Sequence, residues 1–221
     1  MRIQYDTGRF PFRKVVEEYL CQNELQDLHR YFPFEDTLKE NTDQNQYLHR
    51  LFYENLDNDS ELRFIKIYES FVTQILLPKF GAEIAIQRFP TFRIHQPHNI
   101  CVFKWHRDRD FGHSPHEVNC FLPITPARDS NSFYYESSPG LKDFKPMNAE
   151  YGELVIWDGA NCEHGNKTNL TKCTRVSFDF RFIKLKHLNT IPNLKSKSRN
   201  LNFDENGYFK ILSTQCNLSS I

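Results

Sequence analysis

His106 and Asp108 stand two residues apart, His164 lies well downstream, and Arg175 and Ser177 follow it, again two apart. In an extended segment residues i and i+2 project to one side. His106 and Asp108 can therefore reach a single ion, and the far end of a strand over Glu153 to Asp158 can bring His164 to the same point. Two imidazoles and one carboxylate on one face of a divalent metal leave the opposite face open for a chelating cosubstrate and dioxygen, which is the donor set of an iron(II) site. Asp110 is a competing carboxylate, but the i+2 spacing favours Asp108. Taken singly, these are unconnected polar residues in a turn-rich chain; their order together with Arg175 and Ser177 is what points to a metal.

Positioning them requires strands. In Thr174 to Phe182 the residues Val176, Phe178, Phe180 and Phe182 alternate with Arg175, Ser177, Asp179 and Arg181, so one face is apolar and Arg175 and Ser177 point the same way. Short segments rich in β-branched and aromatic residues, around 83–88, 91–95, 100–105, 117–122, 132–137, 152–157 and 173–183, are separated by Pro, Gly, Asn and Asp. The 20 Phe and 10 Tyr suit strands and an aromatic-lined interior. The expected fold is mainly β with flanking α, an antiparallel jelly roll with helices packed outside.

The helices belong to the first part of the chain. Apolar residues recur at mostly helical spacing over 13–32, closed by Pro33, and a second helix is expected over 45–56 after an acidic, Asn-rich connection. A third starts at Ser60 as cap, with Glu61 in its first turn, and carries a stripe from Phe64 to Leu76 that ends at Pro78. After Ile183 a Lys-rich run (Lys184, Lys186, Lys195, Lys197, Arg199) reads as a solvated linker, and Asn206-Gly207 as the turn of a hairpin between 201–203 and 208–212. The expected organisation is a single domain over 1–221, helical to residue 82, with the metal-bearing core at 83–183 and an extension over 184–221.

The wording around the candidate ligands resembles the Fe(II)/2-oxoglutarate-dependent oxygenases, and within them the streptomycin-biosynthesis, StrG-like branch. The resemblance is carried by His106-Arg107-Asp108, Gly152 to Asp158, His164-Gly165-Asn166 and Arg175-Val176-Ser177, and spans roughly residues 90–183. It implies a double-stranded β-helix, cupin-like, with Fe(II) on His106, Asp108 and His164. It implies 2-oxoglutarate as cosubstrate, its distal carboxylate on Arg175, whose planar fork gives two charge-assisted hydrogen bonds, with Ser177 adding a hydroxyl. The implied reaction uses dioxygen, releases succinate and CO2, and hydroxylates a small polar metabolite such as a sugar or aminoglycoside-type precursor. Halogenation is disfavoured, because Asp108 supplies the carboxylate that halogenases of this superfamily replace.

Several further residues are candidates. Asn119 at a strand start is placed with the cosubstrate site, with backbone satisfaction as the plain alternative. Arg93, His113 and Trp157 are candidate substrate contacts; a surface salt bridge is the alternative for Arg93, and core packing for Trp157 and for Phe103, Trp105 and Phe121. His113, His116 and Glu117 have neither the order nor, with Pro115 among them, the helix of a zinc-binding H-E-x-x-H, so they read as a loop over the site mouth. Asp179 and Arg181 read as a mutual ion pair, and Glu136 has no assigned role.

Composition excludes as much as it suggests. Twenty-eight basic residues balance 28 acidic ones, so no global field favours nucleic acid or an anionic membrane. No stretch approaches the apolar length of a membrane span, and residues 1–12 lack a leader pattern, so a cytoplasmic protein is expected. Six cysteines without a C-x-x-C read as free thiols. Two other classes remain open on the sequence alone, a non-enzymatic cupin-like binding module and a zinc hydrolase on the same fold.

Overall fold

The computed structural model describes residues 1–32, 46–102, 104–190, 195, 201–205 and 207–213. Its strands are, in chain order, β1 (Arg2–Gln4), β2 (Glu83–Gln87), β3 (Thr91–His95), β4 (Val118–Pro123), β5 (Phe133–Tyr135), β6 (Lys145–Pro146), β7 (Glu153–Trp157), β8 (His164–Asn166), β9 (Arg175–Lys184) and β10 (Phe209–Ser213). The longest, β9, carries the alternation seen in the sequence. Val176, Phe178, Phe180 and Phe182 enter the main apolar core, while Arg175, Ser177, Asp179 and Arg181 line a cavity on the other face.

Two antiparallel sheets result. The larger runs β1-β7-β4-β9-β2-β10, with β3 also on β9; the smaller runs β6-β5-β8. Along one edge β9 pairs β4, from Val118↔Phe182 to Pro123↔Ser177. Along the other, β3 takes its first half (His95↔Arg175, Thr91↔Asp179) and β2 its last residues (Ile84↔Lys184). The smaller sheet packs on the polar side of the larger: Phe133 of β5 lies 5.0 Å from both Phe121 of β4 and Trp157 of β7, measured between ring centroids. The cavity opens between the sheets.

Helices cover the opposite, apolar face. They are α1 (Phe12–Leu20), α2 (Leu28–Tyr31), α3 (Tyr47–Asn58), α4 (Arg63–Phe71) and α5 (Leu77–Phe80). Phe52 of α3 stacks on Phe92 of β3 at 4.2 Å, Phe64 of α4 meets Phe178 at 4.8 Å, and Tyr68 of α4 meets Phe180 edge-on at 5.1 Å. Rings of this size bury the most apolar area per residue, and offset or edge-on pairs add to it.

The structure corrects several local expectations. The helix expected over 13–32 stops at Cys21, which adopts φ 51° while Cys21 and Gln22 donate back to Glu18 and Glu17, a left-handed helix stop that periodicity does not report. The cap of α4 is not Ser60: the Asp59 carboxylate accepts from the Arg63 amide (2.7 Å) and the Glu61 amide (3.2 Å). Pro78 does not end that helical run. A π turn over Val72–Leu76 closes with Leu77 N–H on the Val72 carbonyl, and Pro78, which has no N–H to give, fits the first turn of α5.

The expected strand at 100–105 does not form among its described residues; Phe103 lies outside them. β1, β6 and β8 were not expected, being two or three residues long, too short for a period to register. Past Ile183, Leu201–Phe203 is not the partner of the last strand. β10 instead pairs β2 antiparallel, Phe209↔Gln87 to Ser213↔Glu83. The chain turns where Tyr208 N–H meets the Asn202 carbonyl at 2.8 Å, and a Cβ on Gly207 would fall 2.5 Å from that same carbonyl oxygen. Asn206, Pro33, the connection over 34–44, Lys197 and Arg199 lie outside the described residues. No helix among the described residues is long and apolar enough to cross a membrane.

Phe178 is 1 % exposed and touches rings from two helices. Phe178→Ala is expected to cost about 3–5 kcal/mol, the range for emptying an aromatic site in a packed core. In urea unfolding this appears as a lower midpoint at an unchanged slope. Leu170→Ala, at a position 74 % exposed, should fall within about 0.5 kcal/mol of the parent.

Candidate metal centre

Each prospective ligand is fixed by backbone geometry before any ion is considered. His106 and His164 face each other in an isolated antiparallel bridge, each amide donating to the other's carbonyl at 2.9 Å. Their rings come within 4.5 Å, centroid to centroid. The Nδ1 of His106 lies 2.7 Å from the Lys104 carbonyl, and the Nδ1 of His164 lies 3.0 Å from the Cys162 carbonyl. A carbonyl can only accept, so both Nδ1 atoms carry the proton and both Nε2 atoms present a bare lone pair. Asp108 opens a 3-10 turn (Asp108–Phe111), its amide held by the Gly159 carbonyl at 3.0 Å.

The three groups converge. Asp108 Oδ1 stands 3.6 Å from His106 Nε2 and 3.7 Å from His164 Nε2. All three ligand atoms lie within 4.8 Å of one another. The other carboxylate oxygen is occupied: Oδ2 accepts from Arg181 Nε at 2.7 Å and Asn119 Nδ2 at 2.6 Å. Only Oδ1 is left for an ion, so the carboxylate is committed to a single-oxygen contact.

The charges follow from burial and neighbours. Burial alone would raise the pKa of Asp108, but Arg181, His106 and His164 outweigh it and hold the carboxyl well below the usual range. Burial pushes His164 down to about 4 despite the pull of Asp108, so its imidazole is neutral, as a metal ligand must be, at ordinary pH. Burial alone would lower the pKa of Arg181, but Asp108, together with Tyr208 and Asp179, outweighs it and keeps the guanidinium charged.

Arg175 is 2 % exposed and reaches the same cavity from the start of β9. Its Nε donates to the Asn131 carbonyl at 2.7 Å, and one Nη1 hydrogen goes to Ser177 Oγ at 2.6 Å. Ser177 thus accepts from the arginine and keeps its own hydrogen for another acceptor, and the outer guanidinium edge remains for an anion. The cavity, about 560 Å³ with its open mouth, is walled by Phe121, Phe133 and Trp157. Trp157 stands edge-on to His164 at 4.8 Å.

Other expectations are redistributed. Arg93 lines the cavity, but its Nε pairs with Asp179 Oδ2 at 3.2 Å. Asp179 and Arg181 are therefore not a mutual pair: Arg93 of the neighbouring β3 claims the first and Asp108, from its 3-10 turn, the second, which a single-strand reading cannot anticipate. Asn119 holds the candidate ligand Asp108 through its amide nitrogen rather than serving backbone. His113 is not in the cavity wall: it bonds Glu117 at 2.9 Å and packs against Phe203 and Tyr208. His116 stacks on His187 at 4.1 Å. Asp110 pairs with Arg107, on the exposed side. Glu136 accepts from the amides of Glu163 (2.7 Å) and Lys142 (3.1 Å), bracing the loop that leads into His164. Arg181 was missed as the partner of Asp108; its place on the polar face of β9 was the available signal. Trp105 lies against Gly165, where a Cβ would fall 2.6 Å from the indole.

No family model matches the chain. Among curated proteins it is similar to the streptomycin biosynthesis protein StrG of Streptomyces griseus, 39 % identical over 180 residues that make up 81 % of this chain and 82 % of that one. Similar solved structures include CytC3 with Fe(II) and alpha-ketoglutarate (12 % identity, TM-score 0.49, 83 % of this chain and 72 % of that one). EctD from S. alaskensis with bound Fe is another (12 %, 0.48, 84 % and 73 %).

Removing Arg181 would leave Asp108 buried without a counter-charge. Arg181→Leu is expected to destabilise the metal-free protein by about 3–5 kcal/mol. Saturating Co(II) should recover part of that loss, because the ion restores a positive charge beside the carboxylate. Thermal unfolding with and without Co(II) checks both halves.

Proposed function

The chain belongs to the family of the streptomycin biosynthesis protein StrG, and on that footing we propose that it is an Fe(II)- and 2-oxoglutarate-dependent oxygenase. Its substrate in this reading is a small polar metabolite such as a sugar or aminoglycoside-type precursor, and succinate and CO2 are the co-products. The observation that carries the reading is the convergence of His106, Asp108 and His164 on one point of a cavity that also holds buried Arg175 and Ser177. The two sheets are read as a double-stranded β-helix, and the chain as one domain in which the helical first part braces the core.

The donor set fits the ion. Two neutral imidazole nitrogens and one carboxylate oxygen suit Fe(II) and leave coordination positions for a cosubstrate. Bound there, iron with 2-oxoglutarate and dioxygen supplies the oxidising power for attack on an unactivated carbon. The chain's own residues hold, orient and shield. The Lys104 and Cys162 carbonyls keep both histidine Nδ1 protons in place, so neither ring can turn its lone pair away. Arg175 offers its outer edge, and Ser177 its hydroxyl hydrogen, to the distal carboxylate of the keto acid, at positions already set by Asn131. Phe121, Phe133 and Trp157 keep water from the wall facing the substrate. A binding module or a zinc hydrolase would have no use for a buried arginine and serine arranged in this way.

Anaerobic titration of the Fe(II)-loaded protein with 2-oxoglutarate is expected to raise a visible charge-transfer band. Arg175→Ala should weaken 2-oxoglutarate binding by about 30-fold or more, a loss of at least ~2 kcal/mol for a buried charge pair, while Fe(II) binding persists. Absence of the band in the parent protein would rule out the oxygenase.

A further inference from the structure

His95 is a buried titratable group that metal and keto acid leave without a task. It ends β3 with no exposed surface, directly across from Arg175 in the pairing of β3 with β9. Both of its ring nitrogens are engaged: Nδ1 lies 2.9 Å from the Asn131 carbonyl and Nε2 lies 2.9 Å from the Asn99 carbonyl. A carbonyl can only accept, and a neutral imidazole has a single N–H. Whichever nitrogen carries that hydrogen, the other turns a lone pair on a carbonyl oxygen at hydrogen-bonding distance. Only the imidazolium serves both carbonyls.

The charge on such a ring has one close opponent. Arg175 donates its Nε to the same Asn131 carbonyl on which His95 Nδ1 stands, and its hydrogen-bond partners among the described residues, Asn131 and Ser177, are uncharged. Elsewhere around the ring, Asn99 and Asn169 are neutral, Asn169 giving its side-chain amide to the His95 carbonyl. Arg93, two residues back, is paired with Asp179. The other charged or titratable residues of the adjoining turns, Arg128, Asp129, His98 and Lys172, are exposed. Burial, with Arg175 beside it, pushes His95 down to about 4 against the pull of its two carbonyls, so the ring is neutral at ordinary pH when no anion offsets the arginine. A carboxylate on Arg175 cancels the one close positive charge that opposes protonation.

We propose that His95 is a positioning residue whose protonation is coupled to the anion on Arg175: binding of a carboxylate there draws one proton from the buffer onto the ring, which then donates to both carbonyls. The identity of the anion as a keto acid rests on the oxygenase reading; the coupling itself needs only a carboxylate on Arg175. The added proton completes the second hydrogen bond and secures the Asn131 carbonyl from which Arg175 is oriented. Linkage fixes the sign. A ring that gains affinity for its proton on binding makes the anion bind more tightly at low pH, and the gain is lost as pH rises through the value that the ring has in the complex.

Calorimetric titration of 2-oxoglutarate into the anaerobic Fe(II)-loaded protein, in two buffers of different ionisation enthalpy, counts the protons taken up. At about pH 6 the parent should take up about half a proton more than His95→Gln, and its affinity should fall by up to about tenfold per pH unit, more steeply than that of the variant. Nitrogen-15 spectra of the Zn(II)-loaded parent read the ring itself, should His95→Gln fail to fold. The two ring nitrogens of His95 should differ before 2-oxoglutarate is added and become nearly alike afterwards, because both then carry hydrogen. Equal proton counts in parent and variant, or ring nitrogens that stay different in the complex, would overturn the proposal. A charge-transfer band without uptake through His95 leaves the oxygenase standing and removes the coupling. If no band appears, the same measurements are made with glutarate, which has the distal carboxylate and no keto group, on the metal-free protein. Uptake through His95 then upholds the coupling while the oxygenase reading fails, and no uptake removes both.

Discussion

A carboxylate carried into a protein interior must be paired, because desolvation of an isolated charge costs more than most folds can supply. Asp108, 2 % exposed, is the group on which that constraint falls. Its Oδ2 is taken by Arg181 and Asn119, and Arg181 in turn reaches the Tyr208 hydroxyl at 3.3 Å and Gln87 Oε1 at 3.4 Å. Gln87 continues outward, its nitrogen on Thr91 and its carbonyl accepting from Tyr68 of α4. One buried charge thus ties together the turn after His106, the central strand, the chain past Ile183 and the helical layer. The segment after Ile183, read in the sequence as a solvated linker followed by a hairpin, supplies an edge strand and a tyrosine to this network.

β9 makes the arrangement possible by being two-faced. Its phenylalanines anchor it to the helices, and this leaves its polar side chains no freedom of register: a slip of one residue would exchange Arg175, Ser177, Asp179 and Arg181 for the core-facing set. Arg175, Ser177, Asp179 and Arg181, the last of them holding Asp108, follow one another along a single strand at two-residue intervals. His106 comes from irregular chain and His164 from the first position of β8; one bridge joins them, and the two Nδ1 contacts fix their rings.

The candidate ligands were legible because the site uses local rules. The i+2 spacing of His106 and Asp108 and the alternation of β9 can each be read from a few residues, and the structure brings His106, Asp108 and His164 together. The pairing of charges was not legible. Whether Asp179 bonds Arg181 or Arg93 depends on which strand lies alongside, a long-range fact, and the same holds for β10 choosing β2 over 201–203. The breaks in the helices depend on single φ values, at Cys21 and Leu62, that no hydrophobic period encodes. His113 reads in the sequence as part of a loop over the site mouth, because its cluster with His116 and Glu117 lacks the order and the helix of a zinc motif. Its bond to Glu117 and the cover of Phe203 and Tyr208 place it elsewhere.

The central claim is that one divalent ion sits against His106 Nε2, His164 Nε2 and Asp108 Oδ1. Anomalous diffraction at the iron edge, from crystals grown anaerobically with Fe(II), tests it most directly. A single strong peak in contact with those three atoms is the predicted result. A peak at another cluster, such as the His116 and His187 pair, or no peak at the three ligands in a crystal that contains iron, would contradict it.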